Sequence, residues 1–322
     1  MKILIKQLGR IGDMICLSAC FPLIKELLPE AEIDLITSRH NDVIVKNNPY
    51  INERIKYDKS FFNFFSTIYK IRSTTYDFYI DHKDHRSRES RIFAKIAKAF
   101  VKVGFNETGK HTFDIALDSD KKNSNLHFIE RAMKAFKVLG FGPNITPIPH
   151  PQLFPTENAR ETARKFLEVT VGAEPYAVIN ISTNSAIRRW NVQNWIELIN
   201  KTDLKDKNIV ICASPDDYQD ANQIVQNAKK AVLFKSKSIE DTFGIIEKAE
   251  MVLTCDTSIV HIASAYNTPI LAIFMGVKSN FNKFAPLSEK QCLVFAGEGV
   301  LDVNTIKPDE VVNNYYSFIE QL

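Results

Sequence analysis

Apolar and polar positions fall in short blocks along the chain, each with the period of a strand or a helix. Residues 2–8 read as a strand, residues 13–28 as a helix closed by Pro29, and residues 32–37 as a second alternating strand. This β-α-β order argues for a parallel sheet with crossover helices. Residues 77–81 predict a further strand, 88–102 a helix, 101–104 a return to the sheet and 129–139 a helix. From 140 to 160 the chain holds five prolines and little periodicity, which marks a boundary.

The alternation then restarts. A helix over 159–169 leads into strands at 177–181, 209–213, 232–233, 251–254 and 270–274, separated by helices at 192–201, 218–229, 239–248 and 259–266. Two consecutive α/β patterns predict two facing Rossmann-like domains, over 1–155 and 172–305, with their cleft as the default ligand site. Val311, Val312, Tyr315, Phe318 and Ile319 recur at helical spacing. They predict a helix over 308–321, in a terminal segment 306–322 that packs back on the first domain.

Composition adds little to this picture, because 45% hydrophobic and 25% charged residues are ordinary for a globular chain. The start lacks the apolar core of a signal peptide, and no run approaches the roughly 20 apolar residues that span a bilayer, so the expectation is a cytoplasmic protein. Cys16 and Cys20 lie four apart among Ile15, Leu17 and Ala19, a pattern that reads as core rather than as a metal pair. No CxxC pair or disulfide framework is present.

Charge changes the picture more. Residues 1–150 carry 24 Lys and Arg against 17 Asp and Glu, a net of +7, while residues 151–322 carry 17 against 21, a net of −4. The first half suits an anionic partner. Arg88, Arg91, Lys95, Lys98 and Lys102, three or four apart, form a stripe on the predicted helix, or else a solvated face opposite Ile92, Ile96 and Phe100. No nucleic-acid reading module accompanies the stripe. Residues 61–69, FFNFFSTIY, read as the core of a helix or as a loop that touches lipid.

Candidate chemistry gathers where strands end. Gly9-Arg10-Ile11-Gly12-Asp13 places a carboxylate in the first turn of an apolar helix, either as a helix cap or as a catalytic base. The loop after residues 177–181 offers Ser182, Thr183, Asn184 and Ser185 with Arg188 and Arg189, a set suited to phosphate oxygens or to an ordinary capped loop. Asp256, Thr257 and Ser258 begin a helix whose bare N–H groups form an anion site, and His261 follows one turn on, as a ligand contact or a satisfied core residue. The first turn lacks GxGxxG and the second strand ends Leu35-Ile36-Thr37-Ser38 with no acid, which disfavours a nicotinamide dinucleotide site.

Taken together, GRIGDM, NISTNSAIRRW from Asn180 to Trp190 and DTSIVH from Asp256 to His261 resemble the three signature regions of glycosyltransferase family 9, the ADP-heptose:lipopolysaccharide heptosyltransferases. The resemblance runs over nearly the whole chain. It implies a GT-B architecture and an inverting transfer of heptose from ADP-heptose to a lipopolysaccharide inner-core acceptor, with no metal and no cofactor. Asp13 then matches the general base, and Gly12 lies beside it toward the acceptor. Ser182, Thr183, Asn184, Arg188, Asp256, Thr257, Ser258 and His261 match the donor-binding stretches, Arg188 standing where the family has Lys. Asp217, in SPDDYQD, matches an acidic residue that holds the ribose. Lys83, Arg86 and Arg88 would meet the anionic glycolipid, and such an acceptor admits peripheral contact with the inner membrane. Asn-Ile-Ser-Thr replaces Asn-Pro-Gly-Ala, and Ser258 replaces a glycine. These departures leave the exact donor open, so one alternative is another nucleotide sugar; a second, from another class, is a catalytically silent nucleotide-sugar-binding protein, against which the retained Asp13 speaks.

Overall fold

The computed structural model describes residues 1–142 and 146–322. Residues 143–145, within the proline-rich boundary, lie outside the described residues. The chain divides into two compact units, Met1–Phe154 with Asn282–Phe284, and Pro155–Phe281 with Ala285–Leu322.

The first unit is built on six parallel strands: β1 (Lys2–Gln7), β2 (Glu32–Ser38), β3 (Glu53–Tyr57), β4 (Tyr76–Ile80), β5 (Ala99–Gly104) and β6 (Ile115–Ala116). Their order across the sheet is β3-β2-β1-β4-β5-β6. β1 sits in the middle with Ile3, Leu4 and Ile5 wholly buried, as a parallel strand covered on both faces must be. The helices are α1 (Ile11–Ser18), α2 (Cys20–Leu27), α3 (Phe61–Ser73), α4 (Arg88–Ile96) and α5 (Phe128–Phe136).

Three expectations are corrected here. The single helix over 13–28 is two helices, because Pro22 has no N–H to donate to the carbonyl of Ser18 and the ladder breaks at Ala19. The helix over 88–102 stops at Ile96: Ala97 turns extended, and the chain from Ala99 pairs with β4 in the register Tyr76↔Ala99. The basic stripe is therefore cut, with Arg88, Arg91 and Lys95 on α4, Lys98 in the connection and Lys102 in β5. The aromatic stretch is helical, as α3, but most of its rings are not core. α3 turns Phe64, Thr67, Ile68 and Ile71 inward and leaves Phe61, Phe62, Phe65 and Tyr69 exposed.

The second unit repeats the plan. It contains α6 (Glu157–Thr170), β7 (Tyr176–Asn180), α7 (Val192–Lys201), β8 (Asn208–Cys212), α8 (Tyr218–Asn227), β9 (Ala231–Phe234), α9 (Phe243–Glu247), β10 (Met251–Cys255), α10 (Ser258–Tyr266), β11 (Ile270–Phe274), α11 (Lys278–Phe284, whose last three residues fall in the first unit), β12 (Gln291–Phe295) and α12 (Pro308–Ile319). The parallel order is β12-β11-β10-β7-β8-β9. The helix expected over 239–248 is a 3-10 turn, Ile239–Thr242, followed by α9. The C-terminal helix packs on the second unit. Val311, Tyr315 and Phe318 of α12 join the core of the second unit with Trp195, Leu198 and Ile199 of α7, and the Tyr315 hydroxyl donates to Asp203 at 2.7 Å. Its apolar face is used within that unit.

Candidate active site

In the first unit the strand order runs away in opposite directions from the adjacent pair β1 and β4, the kind of place where open parallel sheets leave a crevice at their carboxyl ends. Two segments meet there: the turn after β1, which carries Asp13 into α1, and the run Asp81-His82-Lys83-Asp84-His85 after β4. They line a cavity of about 170 Å³ together with Arg131 of α5 and Lys283.

The turn is built to hold the carboxylate. The Arg10 N–H donates to Asp13 Oδ2 at 2.9 Å, and the Gly9 N–H donates to Gln7 Oε1 at 2.8 Å. Buried Asn41 donates from Nδ2 to the carbonyls of Gln7 and Gly9, at 3.1 and 3.0 Å. A Cβ on Gly9 would lie 2.2 Å from Asp13 Oδ2 and 2.8 Å from Gln7 Oε1, so the glycine makes room for the carboxylate itself. Burial lifts the Asp13 carboxyl above the ordinary carboxylate range; the Arg10 N–H and the charges of Lys283, Arg10 and Lys83 pull the other way without cancelling it.

In the wall of the cavity Lys6 of β1 pairs with Asp81 at 2.9 Å, both side chains almost completely buried, and Lys6 also donates to Ser90 Oγ at 3.1 Å. Burial alone would raise Asp81; the charge and hydrogen bond of Lys6, helped by Ser90, hold it below the usual range instead. Burial pushes His82 down to about 4, so its ring is neutral near pH 7. Asp84 also suffers burial, yet His85, Lys283, Arg131 and Asn123 bring it down to about 2. Its pairing with buried Arg131 is 3.3 Å.

Of the first-unit residues expected from sequence, Asp13 and Lys83 line the cavity, and Gly12 lies in the same first turn of α1. Among the described residues Lys83 has no ion-pair partner, which leaves its half-buried ammonium available to an anion. Arg86 and Arg88 do not line the cavity: Arg86 turns to Glu107 at 3.5 Å, and Arg88 begins α4 in solvent. Sequence reasoning missed His82, Asp84, Arg131 and Lys283. The signal was the density of five ionisable residues directly after an apolar strand, of which only Lys83 was drawn on.

In the second unit the corresponding adjacent pair is β7 and β10. Asn180, at the end of β7, donates from Nδ2 to the Ser182 carbonyl at 3.1 Å and to Thr254 Oγ1 at 3.0 Å, which ties the two strand ends together. Ser182 Oγ donates to Asp217 at 2.5 Å and accepts from the Ser214 N–H at 2.7 Å; Ser214 Oγ donates to Asp217 at 2.7 Å. Arg189 pairs with the same carboxylate. Asp217 thus stands at the expected place after β8, and both of its oxygens are engaged. Burial pushes it up, but Ser182, Ser214 and Arg189 together keep it below the ordinary range.

Arg188 lies 3.4 Å from buried Asp256, which also accepts from Asn280 Nδ2 at 3.0 Å. The Arg188 Nε is buried and, among the described residues, has no hydrogen-bond partner. Thr257 caps α10 by accepting from the Ile259 N–H at 3.2 Å, Ser258 is the first helical residue, and His261 is buried one turn in. Thr183 closes a local turn through the Ser185 carbonyl at 2.7 Å, and Asn184 faces solvent. The structure therefore brings Ser182 and Asp217 together, and Arg188 with Asp256, all at one edge of one sheet.

Two doubly wound parallel sheets, each with a polar cluster at the point where strand order reverses, define an α/β fold of the GT-B type. The E. coli ADP-heptose LPS heptosyltransferase II has this fold, with a TM-score of 0.80 at 19% identity over 100% of this chain and 99% of that one. So do a glycosyl transferase of family 9 from Veillonella parvula, with 0.85 at 14% over 100% and 98%, and E. coli heptosyltransferase WaaC with ADP-2-deoxy-2-fluoro heptose, with 0.74 at 17% over 100% and 99%. In sequence the chain is similar to lipopolysaccharide heptosyltransferase 3 of E. coli, 21% identical over 301 residues that cover 89% of this chain and 86% of that protein. The family model described as glycosyltransferase family 9 (heptosyltransferase) matches residues 64–303. The chain belongs to glycosyltransferase family 9, and it is a glycosyltransferase.

Gly9→Ala tests the turn. The added methyl must displace the Asp13 carboxylate, and a shift of that order costs roughly 100-fold in turnover. Steady-state kcat should fall by about that factor with an unchanged circular dichroism spectrum; a kcat within about twofold of wild type would mean that the carboxylate position does not matter.

Proposed function

We propose that this enzyme transfers heptose from ADP-heptose to an anionic lipopolysaccharide inner-core acceptor, a Kdo-bearing lipid A or a heptose already attached to it, with inversion at the anomeric carbon and without a metal ion. The observation that carries the reading is the Asp13 carboxylate, partly desolvated and set in a cavity with Lys83, Arg131 and Lys283. Asp13 takes the proton of the acceptor hydroxyl as the new C–O bond forms, while the bond from the anomeric carbon to the diphosphate breaks and the nucleoside diphosphate leaves with the electron pair. The lysines attract the acceptor's phosphate or carboxylate groups.

The second unit serves the donor. Arg188 and the N–H groups opening α10 meet the charge that gathers on the leaving diphosphate, the part a metal plays elsewhere. The unpartnered Arg188 Nε fits such an anion. An acceptor carried on a lipid brings the enzyme to a membrane surface.

The test is release of nucleoside diphosphate from ADP-heptose with and without a Kdo-bearing lipid A acceptor. Acceptor-dependent release is expected, and Arg188→Ala should lower kcat/KM for the donor about 100-fold, with Arg188→Lys retaining part of it. Release indifferent to acceptor, or turnover only with a different nucleotide sugar, would overturn the substrate assignment.

A further inference from the structure

The outer face of α3 carries an aromatic surface that the chemistry above does not use. Phe61, Phe65 and Tyr69 follow one another at intervals of four, and Phe62 flanks them; their exposures are 71%, 54%, 76% and 85%. Phe61 and Phe65 lie edge to face at 4.9 Å, and Phe61 and Phe62 at 5.8 Å, so the rings form one patch. Soluble surfaces seldom keep such a cluster without a use. α4 lies alongside on the same layer: Tyr57 packs on Phe93, and Lys59 pairs with Glu89 at 2.9 Å. The exposed face of α4 adds Ile92 between Arg88 and Lys95, and α3 itself ends near Arg72, also exposed. Among the described residues neither Arg72 nor Lys95 has an ion-pair partner. Aromatic rings bordered by uncommitted cations are the composition of a surface that inserts shallowly into an anionic interface.

We infer that the α3–α4 face docks the first unit onto an anionic phospholipid bilayer, the rings of Phe61, Phe62 and Phe65 entering the headgroup boundary and Arg72 and Lys95 lying against lipid phosphates. Charge selects this occupant over a second copy of the chain, because residues 1–150 carry a net of +7 and would repel their own image. Position supports it as well. α3 begins directly after β3, so its aromatic end stands at the carboxyl edge of the sheet, the edge that bears Asp13. Resting on the proposed acceptor, this assignment means that docking presents the base to a lipid-anchored hydroxyl.

Flotation with vesicles of phosphatidylethanolamine and phosphatidylglycerol, run without donor or acceptor, tests it apart from turnover. The wild type should float with these vesicles and not with phosphatidylcholine alone. The triple variant Phe61→Ser/Phe62→Ser/Phe65→Ser and the variant Arg72→Glu/Lys95→Glu should each lose bound fraction about tenfold, whereas Val169→Ser, an exposed apolar site in the second unit, should not. If the proposed activity holds, the triple variant keeps its rate on a deacylated, water-soluble acceptor and loses it on a vesicle-borne one. Wild type that fails to float, variants that float equally well, or a concentration-dependent dimer in sedimentation velocity that the triple variant abolishes would overturn the proposal.

Discussion

Asp13→Asn is expected to lower kcat by roughly 10²–10⁴ while leaving the donor's affinity and the melting temperature nearly unchanged. Asparagine retains an oxygen for the Arg10 N–H at the helix start, so the turn keeps its shape and only the proposed proton acceptor is lost. The pH profile supplies an independent readout. Only the ionised carboxylate accepts a proton, and burial has raised its pKa above the ordinary value. In the wild type kcat/KM should therefore climb as pH rises through that raised value and level off above it, and Asp13→Asn should lack this limb. A variant that loses thermal stability but keeps the rate would make Asp13 a helix cap and nothing more.

The largest effect on stability belongs to Lys6. Lys6→Met leaves the Asp81 carboxylate buried without its cation, at a cost of about 3–5 kcal/mol. Differential scanning calorimetry at neutral pH should register this as a marked drop in melting temperature. The folded pKa of Asp81 is depressed in the wild type, so the stability it contributes is present above the unfolded carboxylate value and disappears as pH falls through the folded one. Without Lys6 burial dominates and favours the protonated acid, so the deficit of the variant should shrink on acidification. Lys6→Met/Asp81→Leu, which removes both charges, should recover much of the loss; a single variant as stable as wild type would mean that the pair contributes little.

How much of this was legible in the sequence follows from burial. β1, β7, β10 and β11 are buried strands with apolar centres, Ile3-Leu4-Ile5 in β1 and longer runs in the others, so they were found nearly to the residue. β3, β6 and β12 are edge strands: β3, Glu53-Arg54-Ile55-Lys56-Tyr57, carries polar side chains, β6 is two residues long and β12 is mostly part-exposed, so they gave no such signal. The aromatic run misled because rings suggest a core, whereas the inward face of α3 is set by the spacing of Phe64, Thr67, Ile68 and Ile71. In the site, residues that share a turn with a motif were visible, as were Asp13 and Arg188. Arg131, Lys283 and Asn41 were not, since each reaches its cluster from a distant stretch of chain, and no local pattern distinguishes them from solvated or turn residues.

The contact between positions 9 and 13 reaches beyond the single molecule. Because the Asp13 oxygen occupies the space a methyl at Gly9 would need, any side chain at position 9 obliges that carboxylate to swing aside. If the proposed role of Asp13 holds, a lineage that keeps the carboxylate in this place is held to glycine at 9, and one that abandons transfer is released from that pressure at both positions. On the proposed role of Asp13, a side chain at position 9 marks a descendant whose carboxylate has left its working place, even before the aspartate is lost.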